Sequence, residues 1–147
     1  EEQQLPGKLE YLEVDCCHSL EKLPYTLHIL TSLQELTIKD CPRLASFPQT
    51  DLPPKLRGLS IRGCGLESLP EAITYNKNAS LEYLYISGCY FLTSFPRGGE
   101  LFPTTFKQLT IDHCPNLESL PEGMMHSSNK SLEVLEIFDC SSIMSFP

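Results

Sequence analysis

An α/β solenoid, with one short strand to each turn, is the fold this chain predicts. Three observations predict it. One string returns with small changes: "LTIKDCPRLASFP" from Leu36 to Pro48, "LYISGCYFLTSFP" from Leu84 to Pro96, and "LEIFDCSSIMSFP" from Leu135 to Pro147. Apolar residues keep fixed distances inside each copy, and a cysteine falls at the same place in each. Self-similarity at a fixed period of about 20–50 residues marks stacked-turn architectures.

Counting each copy from its first apolar residue, position 0, gives six units. They start at Leu9, Leu33, Leu56, Leu81, Phe106 and Leu132, in steps of 24, 23, 25, 25 and 26 residues. Apolar residues occupy positions 0, 3 and 5, cysteine position 8, and apolar residues again near 11 and 14, followed by proline. The first unit reads Leu9, Leu12, Val14, Cys17, Leu20, Leu23, Pro24. The third is one residue shorter after its cysteine. This is the leucine-rich repeat, whose usual period is about 20–29 residues. The expected domain is one array over 1–147: a horseshoe segment with a short parallel β-sheet on its concave face. Its convex side would be 3-10, loop or short helix.

A second order runs over pairs of units. Units 1, 3 and 5 are entered through "LPGKL", "LPPKL" and "FPTTF" and leave through "LEKLP" or "LESLP". Units 2, 4 and 6 are entered through "TSL", "ASL" and "KSL" and leave through "SFP". After an odd unit comes a longer segment, "YTLHILTS", "EAITYNKNAS" or "EGMMHSSNKS", expected to hold a short helical or 3-10 turn. After an even unit comes "QTDLPP" or "RGGELFP", where proline and glycine predict an irregular connection.

Strand side chains alternate, so positions 3 and 5 point into the solenoid. The chain must then turn away from the sheet, which leaves backbone groups inside that need partners. Position 8 therefore calls for a small buried group. Cysteine suits it, being readily buried with a weakly donating thiol. Cys17, Cys41, Cys64, Cys89, Cys114 and Cys140 are expected to form an internal structural ladder. Cys16, the seventh, should face solvent. Parallel side chains at strand spacing, near 4.8 Å, sit too far apart for ordinary disulfides, which need β-carbons at about 3.8 Å. No Cys-x-x-Cys spacing suggests zinc. Unpaired thiols suit a reducing compartment. Two Asn-x-Ser sequons, at Asn78 and Asn129, point the other way, toward glycosylation outside the cell. The preferred reading is that the slot before the strand favours small polar turn residues. Neither end carries a polar capping unit, so the chain is expected to be a segment of a longer array, or to have its ends covered by something else.

With 147 residues, 41% of them apolar, a core can be buried. The net charge of −8 argues against a general binder of nucleic acid or anionic membranes, which needs a basic footprint. No apolar run is long enough for a membrane span, and the polar "EEQQ" opening is no secretory signal.

Function would be written on positions 2, 4 and 6, with 1 and 7 flanking, because nothing in the fold fixes them. They bring Lys39 and Arg62 onto neighbouring strands, Tyr83 and Tyr85 one strand further, and Lys107 beyond. Acid gathers at both ends: Glu13 and Asp15 at one, Glu133, Glu136 and Asp139 at the other. Phe138 is a large apolar group at an exposed position. Tyrosine and arginine are frequent anchors of protein interfaces. The candidate partner-binding residues are therefore Lys39, Arg62, Tyr83, Tyr85, Lys107 and Phe138. Catalysis is not expected. His113 adjoins Cys114 but should point to the opposite face, and His18, His28 and His126 fall in separate loops. No Ser-His-Asp grouping, phosphate loop or cofactor motif appears, and "RGGE" is read as a turn.

Units such as "LQELTIKDCPRLASFP" and "FKQLTIDHCPNLESLPEGM" resemble the C-terminal repeats of plant intracellular nucleotide-binding leucine-rich-repeat immune receptors. The likeness is to those with an N-terminal coiled coil. The shared wording is Ile-x-x-Cys-Pro-x-Leu-x-Ser-Leu/Phe-Pro. The resemblance implies a cytoplasmic recognition and autoinhibition domain. Its partners would be a pathogen effector or an altered host protein, and the receptor's own nucleotide-binding module. It transfers no particular binding residue. Two other classes use the same scaffold: a substrate-recruiting module of a ubiquitin ligase and an extracellular receptor ectodomain.

Overall fold

The computed structural model describes residues 4–73, 80–96, 104–121 and 131–146. Six five-residue strands follow one another in chain order: β1 (Tyr11–Asp15), β2 (Glu35–Lys39), β3 (Gly58–Arg62), β4 (Tyr83–Ser87), β5 (Gln108–Asp112) and β6 (Val134–Phe138). They pair in parallel, each with the next, in a single sheet. Equivalent positions of the repeat stand opposite one another throughout. Leu12, Leu36, Leu59, Leu84, Leu109 and Leu135 form one row across the sheet. Val14 and five isoleucines, Ile38, Ile61, Ile86, Ile111 and Ile137, form the next. This is the predicted leucine-rich-repeat solenoid, with positions 3 and 5 facing inward.

Burial explains the register. Leu36, Ile38, Ile61, Ile86, Leu109 and Ile111 are fully shielded, while Leu12, Val14, Leu135 and Ile137 in the outermost strands are partly buried. A slip of one residue would turn each inward row to solvent. The backbone repeats as regularly. At each strand entrance after the first, two successive N–H groups donate to one carbonyl of the preceding turn: Gln34 and Glu35 to Glu10, Arg57 and Gly58 to Gln34, Glu82 and Tyr83 to Arg57, Lys107 and Gln108 to Glu82, Glu133 and Val134 to Lys107.

Each strand ends in a residue with positive φ at position 7: Cys16, Asp40, Gly63, Gly88, His113 and Asp139, all between 47° and 62°. The left-handed step swings the chain off the sheet. Four turns adopt it without glycine, which costs about 1–2 kcal/mol each. The N–H of position 7 still donates to the position-6 carbonyl of the following turn, as in Asp40 to Arg62 and Gly63 to Ser87.

Cysteine follows at once. Every position-8 thiol lies against the carbonyl two residues back: Cys17 on Asp15, Cys41 on Lys39, Cys64 on Arg62, Cys89 on Ser87, Cys114 on Asp112, Cys140 on Phe138, at 3.1–3.7 Å. The thiol is therefore a donor as well as a small apolar filler. All seven cysteines are free. Cys41, Cys64, Cys89 and Cys114 are buried, Cys140 is partly buried and Cys17 is exposed. The internal ladder thus has four fully internal members rather than six. Cys17 and Cys140 belong to the turns of the sheet's two edge strands, each stacked on one neighbour only. Cys16 is exposed as expected.

The two-unit period also appears on the convex side. A 3-10 turn spans Tyr25–Ile29 after unit 1 and another Glu71–Ile73 after unit 3. Both follow a proline whose carbonyl accepts the first bond, Leu27 N–H to Pro24 and Ile73 N–H to Pro70. The equivalent segment after unit 5 lies outside the described residues. After unit 2 the connection has no helix. "RGGE", His126 and both sequon asparagines lie outside the described residues. The serines that complete the sequons do have a structural bond: Ser80 donates to the Pro54 carbonyl and Ser131 to that of Thr104. Among the described residues, no helix is long and apolar enough to cross a membrane.

Two outcomes follow. A β-carbon at Gly88 would make ordinary contact, 3.5 Å from the Gly63 nitrogen, but its φ is +62°. Gly88→Ala should therefore destabilise the array by about 1–2 kcal/mol through backbone conformation rather than crowding, read as a fall in the urea midpoint. Burial pushes the Cys64 thiol up from 9.0 to about 11. The unfolded chain then loses this proton at lower pH than the folded one, so stability is whole below pH 9 and falls as pH rises toward 11. The expected slope from this thiol is about 1.4 kcal/mol per pH unit. Cys64→Ala should flatten that part of the profile of stability against pH.

Candidate functional site

The outward positions of the six strands divide into three parts. On β1 and β2, Lys39 Nζ lies 2.5 Å from Glu13 Oε1 and 3.7 Å from Asp15 Oδ2. The Tyr11 hydroxyl donates to Glu13 from the other side. The bond to Lys39, then that from Tyr11, holds the Glu13 carboxyl below its ordinary value, and the bond to Glu13 holds Lys39 above its own. Lys39 is thus bound to the acidic end of the sheet.

On β5 and β6, polar groups also satisfy one another. Gln108 Nε2 donates to Thr110 Oγ1 at 3.2 Å, and the Thr110 hydroxyl donates to Glu136 at 3.0 Å. Ser87 reaches Asp112 at 3.4 Å from β4. His113 stands between Asp112, 2.6 Å from Nδ1, and Asp139, 3.3 Å from Nε2. Phe138 is half-exposed opposite Asp112, three strands from Arg62.

The middle is different. Ser60 on β3 faces Tyr85 on β4, and Arg62 lies one step along. The Arg62 guanidinium sits 4.5 Å above the centre of the Tyr85 ring. Tyr83, two residues earlier on the same strand, is 38% exposed. Four cations lie on or beside the strand face: Lys39, Arg57, Arg62 and Lys107. Of these four, Arg62 is the one with no carboxylate in ion-pair range among the described residues; its partner is a ring. Stacking keeps the planar fork of N–H groups flat and its edge free for a carboxylate. This is the candidate site: Arg62, Tyr85 and Tyr83, on rigid strands.

The structure therefore brings together three of the six candidate residues. Lys39 is drawn to β1, and Phe138 sits at the far edge. Lys107 lies in a separate row at the strand entrances. There Glu82 bonds Arg57 through both oxygens, at 3.0 and 3.3 Å, and lies 3.5 Å from Lys107. Arg57 was missed in the sequence. Its place at position 1, like Glu82 and Lys107 on the next two turns, was the available signal.

The fold is a leucine-rich-repeat solenoid. The general family model "Leucine Rich Repeat" matches residues 80–101. The leucine-rich-repeat domain of the type III effector XopL has the same fold, with a TM-score of 0.61 at 22% identity over 96% of this chain and 64% of that one. In sequence the chain is similar to plant disease resistance proteins. One protein of Arabidopsis thaliana, named for disease resistance, is 36% identical over 119 residues, 79% of this chain and 8% of that protein. Disease resistance protein RPS4, also of Arabidopsis thaliana, is 30% identical over 146 residues, 95% of this chain and 11% of that protein. TMV resistance protein N of Nicotiana glutinosa is 29% identical over 140 residues, 95% of this chain and 12% of that protein. The chain thus spans only about a tenth of the length of the relatives it matches.

A double-mutant cycle on Arg62→Ala and Tyr85→Ala should show a coupling of about 0.5–1 kcal/mol in urea unfolding, the usual worth of an exposed cation–ring pair. The pair Lys107→Ala and Tyr85→Ala should show none.

Proposed function

We propose that this chain is the protein-recognition part of a plant disease-resistance receptor. It senses a pathogen effector or a host protein altered by one, and helps hold the receptor's nucleotide-binding module inactive. The observation that carries this reading is the contrast along the strand face. At the two ends the outward side chains engage one another, while the middle offers an arginine with no carboxylate in ion-pair range among the described residues, stacked on the half-buried Tyr85, with the exposed Tyr83 two residues earlier on the same strand. Such residues anchor interfaces when a partner covers them. Similarity to disease resistance proteins supplies the biological setting. The repeat wording extends the reading to the coiled-coil class. Seven free thiols, four of them buried, support a cytoplasmic location.

The test is a matched capture from plant cells challenged with a pathogen. The baits are the chain itself, an Arg62→Ala, Tyr83→Ala, Tyr85→Ala variant, and a Lys107→Ala control. The expected result is a partner retained by the wild type and the control and reduced at least tenfold by the triple variant. Tenfold corresponds to about 1.4 kcal/mol, within the range of one anchor residue. Equal capture by all three baits would remove the middle of the sheet from recognition.

A further inference from the structure

The repeat departs from its own pattern at one place on the rim, just past the cysteines. Positions 9 and 10 are His18 and Ser19 in unit 1, Pro42 and Arg43 in unit 2, Pro115 and Asn116 in unit 5, and Ser141 and Ser142 in unit 6. Unit 4 has Tyr90 and Phe91 there, 56% and 65% exposed. Unit 3 is the short one and has Gly65 alone. A β-carbon on Gly65 would come within 2.1 Å of the Pro42 carbonyl oxygen, so this turn presents no side chain beside the two aromatics. The ledge is held in place from its other side, where Asn116 Nδ2 donates to the Tyr90 carbonyl at 2.6 Å.

Between that ledge and the Arg62–Tyr85 stack lie the position-7 residues. In units 3 and 4 these are Gly63 and Gly88; in every other unit position 7 carries a side chain. The Asp40 carboxylate overhangs Gly63, whereas a β-carbon at Gly88 would meet nothing closer than the Gly63 backbone, at 3.5 Å. Backbone uncovered by side chains at Gly88 therefore lies between the arginine on the sheet and the aromatics on the rim. The Asp40 charge borders it on the β2 side.

We infer that an extended acidic segment of a partner protein crosses the rim here, its carboxylate on Arg62 and a neighbouring apolar side chain on Tyr90 and Phe91. Charge complementarity selects the acid. The planar fork held on Tyr85 is suited to a carboxylate in a two-bond contact. The rim aromatics supply the apolar anchor. The bare backbone at Gly88 lets the segment lie close. The inference rests on the reading proposed above and adds a second contact and a partner chemistry to it.

The test is selection from a displayed library of random twelve-residue peptides against the wild-type chain, Arg62→Gln, and a Tyr90→Ser, Phe91→Ser double variant. Thermal unfolding first establishes that the three baits fold alike, as these exposed positions require. Wild type should enrich peptides with Asp or Glu next to a large apolar residue. Arg62→Gln should lower their enrichment at least tenfold and erase the acidic preference. The rim variant should lower it to a similar extent and erase the apolar preference. Wild-type enrichment without an acid, or no enrichment at all, overturns the inference. Loss with Arg62→Gln but not with the rim variant overturns it too, and leaves the sheet-centred reading standing. Indifference to both variants defeats both.

Discussion

One carbonyl in each turn has to be satisfied from two directions, and the architecture follows from how that is done. The position-6 carbonyls of Lys39, Arg62, Ser87, Asp112 and Phe138 each accept the position-7 N–H of the turn before and the position-8 thiol of their own. The first bond extends the sheet by a step after the strands have ended. The second turns the chain inward immediately after a left-handed residue has swung it away. A buried carbonyl left with poor partners would cost about 1–3 kcal/mol, and the arrangement recurs in the five turns after the first. The fit of this one corner to its neighbour therefore sets the spacing of the stack. A thiol is a weak donor, but it is small enough to stand in a column between leucines without opening a void.

The same corner explains why the outward face is free to vary. Backbone bonds and two inward rows fix each strand, so positions 2, 4 and 6 contribute little to folding. The chain uses that freedom unevenly. At the acidic end Lys39 is enclosed by Glu13 and Asp15, and at the other end Thr110, Glu136, Asp112 and His113 engage one another. Exposed pairs like these add little to stability. Their effect is on what the surface can still bind, because a cation already paired has less to offer a partner. Arg62 keeps its fork available because its neighbour is a ring rather than an acid.

Much of this was legible in the sequence. The period, the inward rows, the strand positions and the 3-10 turns after units 1 and 3 followed from apolar spacing and proline placement, since those depend on local rules repeated six times. The column of cysteines was legible as a column, but its hydrogen bond was not. The left-handed turn was hidden as well: Cys16, Asp40, His113 and Asp139 are not glycine, and their φ is imposed by the corner around them. On the face, the adjacency of Arg62 and Tyr85 could be read from register. Which charges cancel could not, because Lys39 and Lys107 have acids within reach on neighbouring strands, and side-chain reach decides the pairing. Of the six candidate residues, the structure brings Arg62, Tyr83 and Tyr85 together.

Where the repeat breaks its own rule, nothing in stacking demands the exception. A solenoid turn needs its inward rows, its corner and its exit proline; it does not need an aromatic pair on the rim. Tyr90 and Phe91 gain no burial from their exposed positions, and the short third unit removes the side chain that would have screened them. Gly63 and Gly88 likewise sit at a left-handed step that other turns make with aspartate, cysteine or histidine. Glycine relieves conformational strain at that step, and at Gly88 it also leaves the surface above it clear. Relief of strain alone would favour glycine equally in all six turns. Its restriction to the two turns beside Arg62 and Tyr85 places the open backbone of Gly88 beside the arginine that, among the described residues, has no carboxylate in ion-pair range, which is the coincidence on which the inferred link between rim and sheet rests.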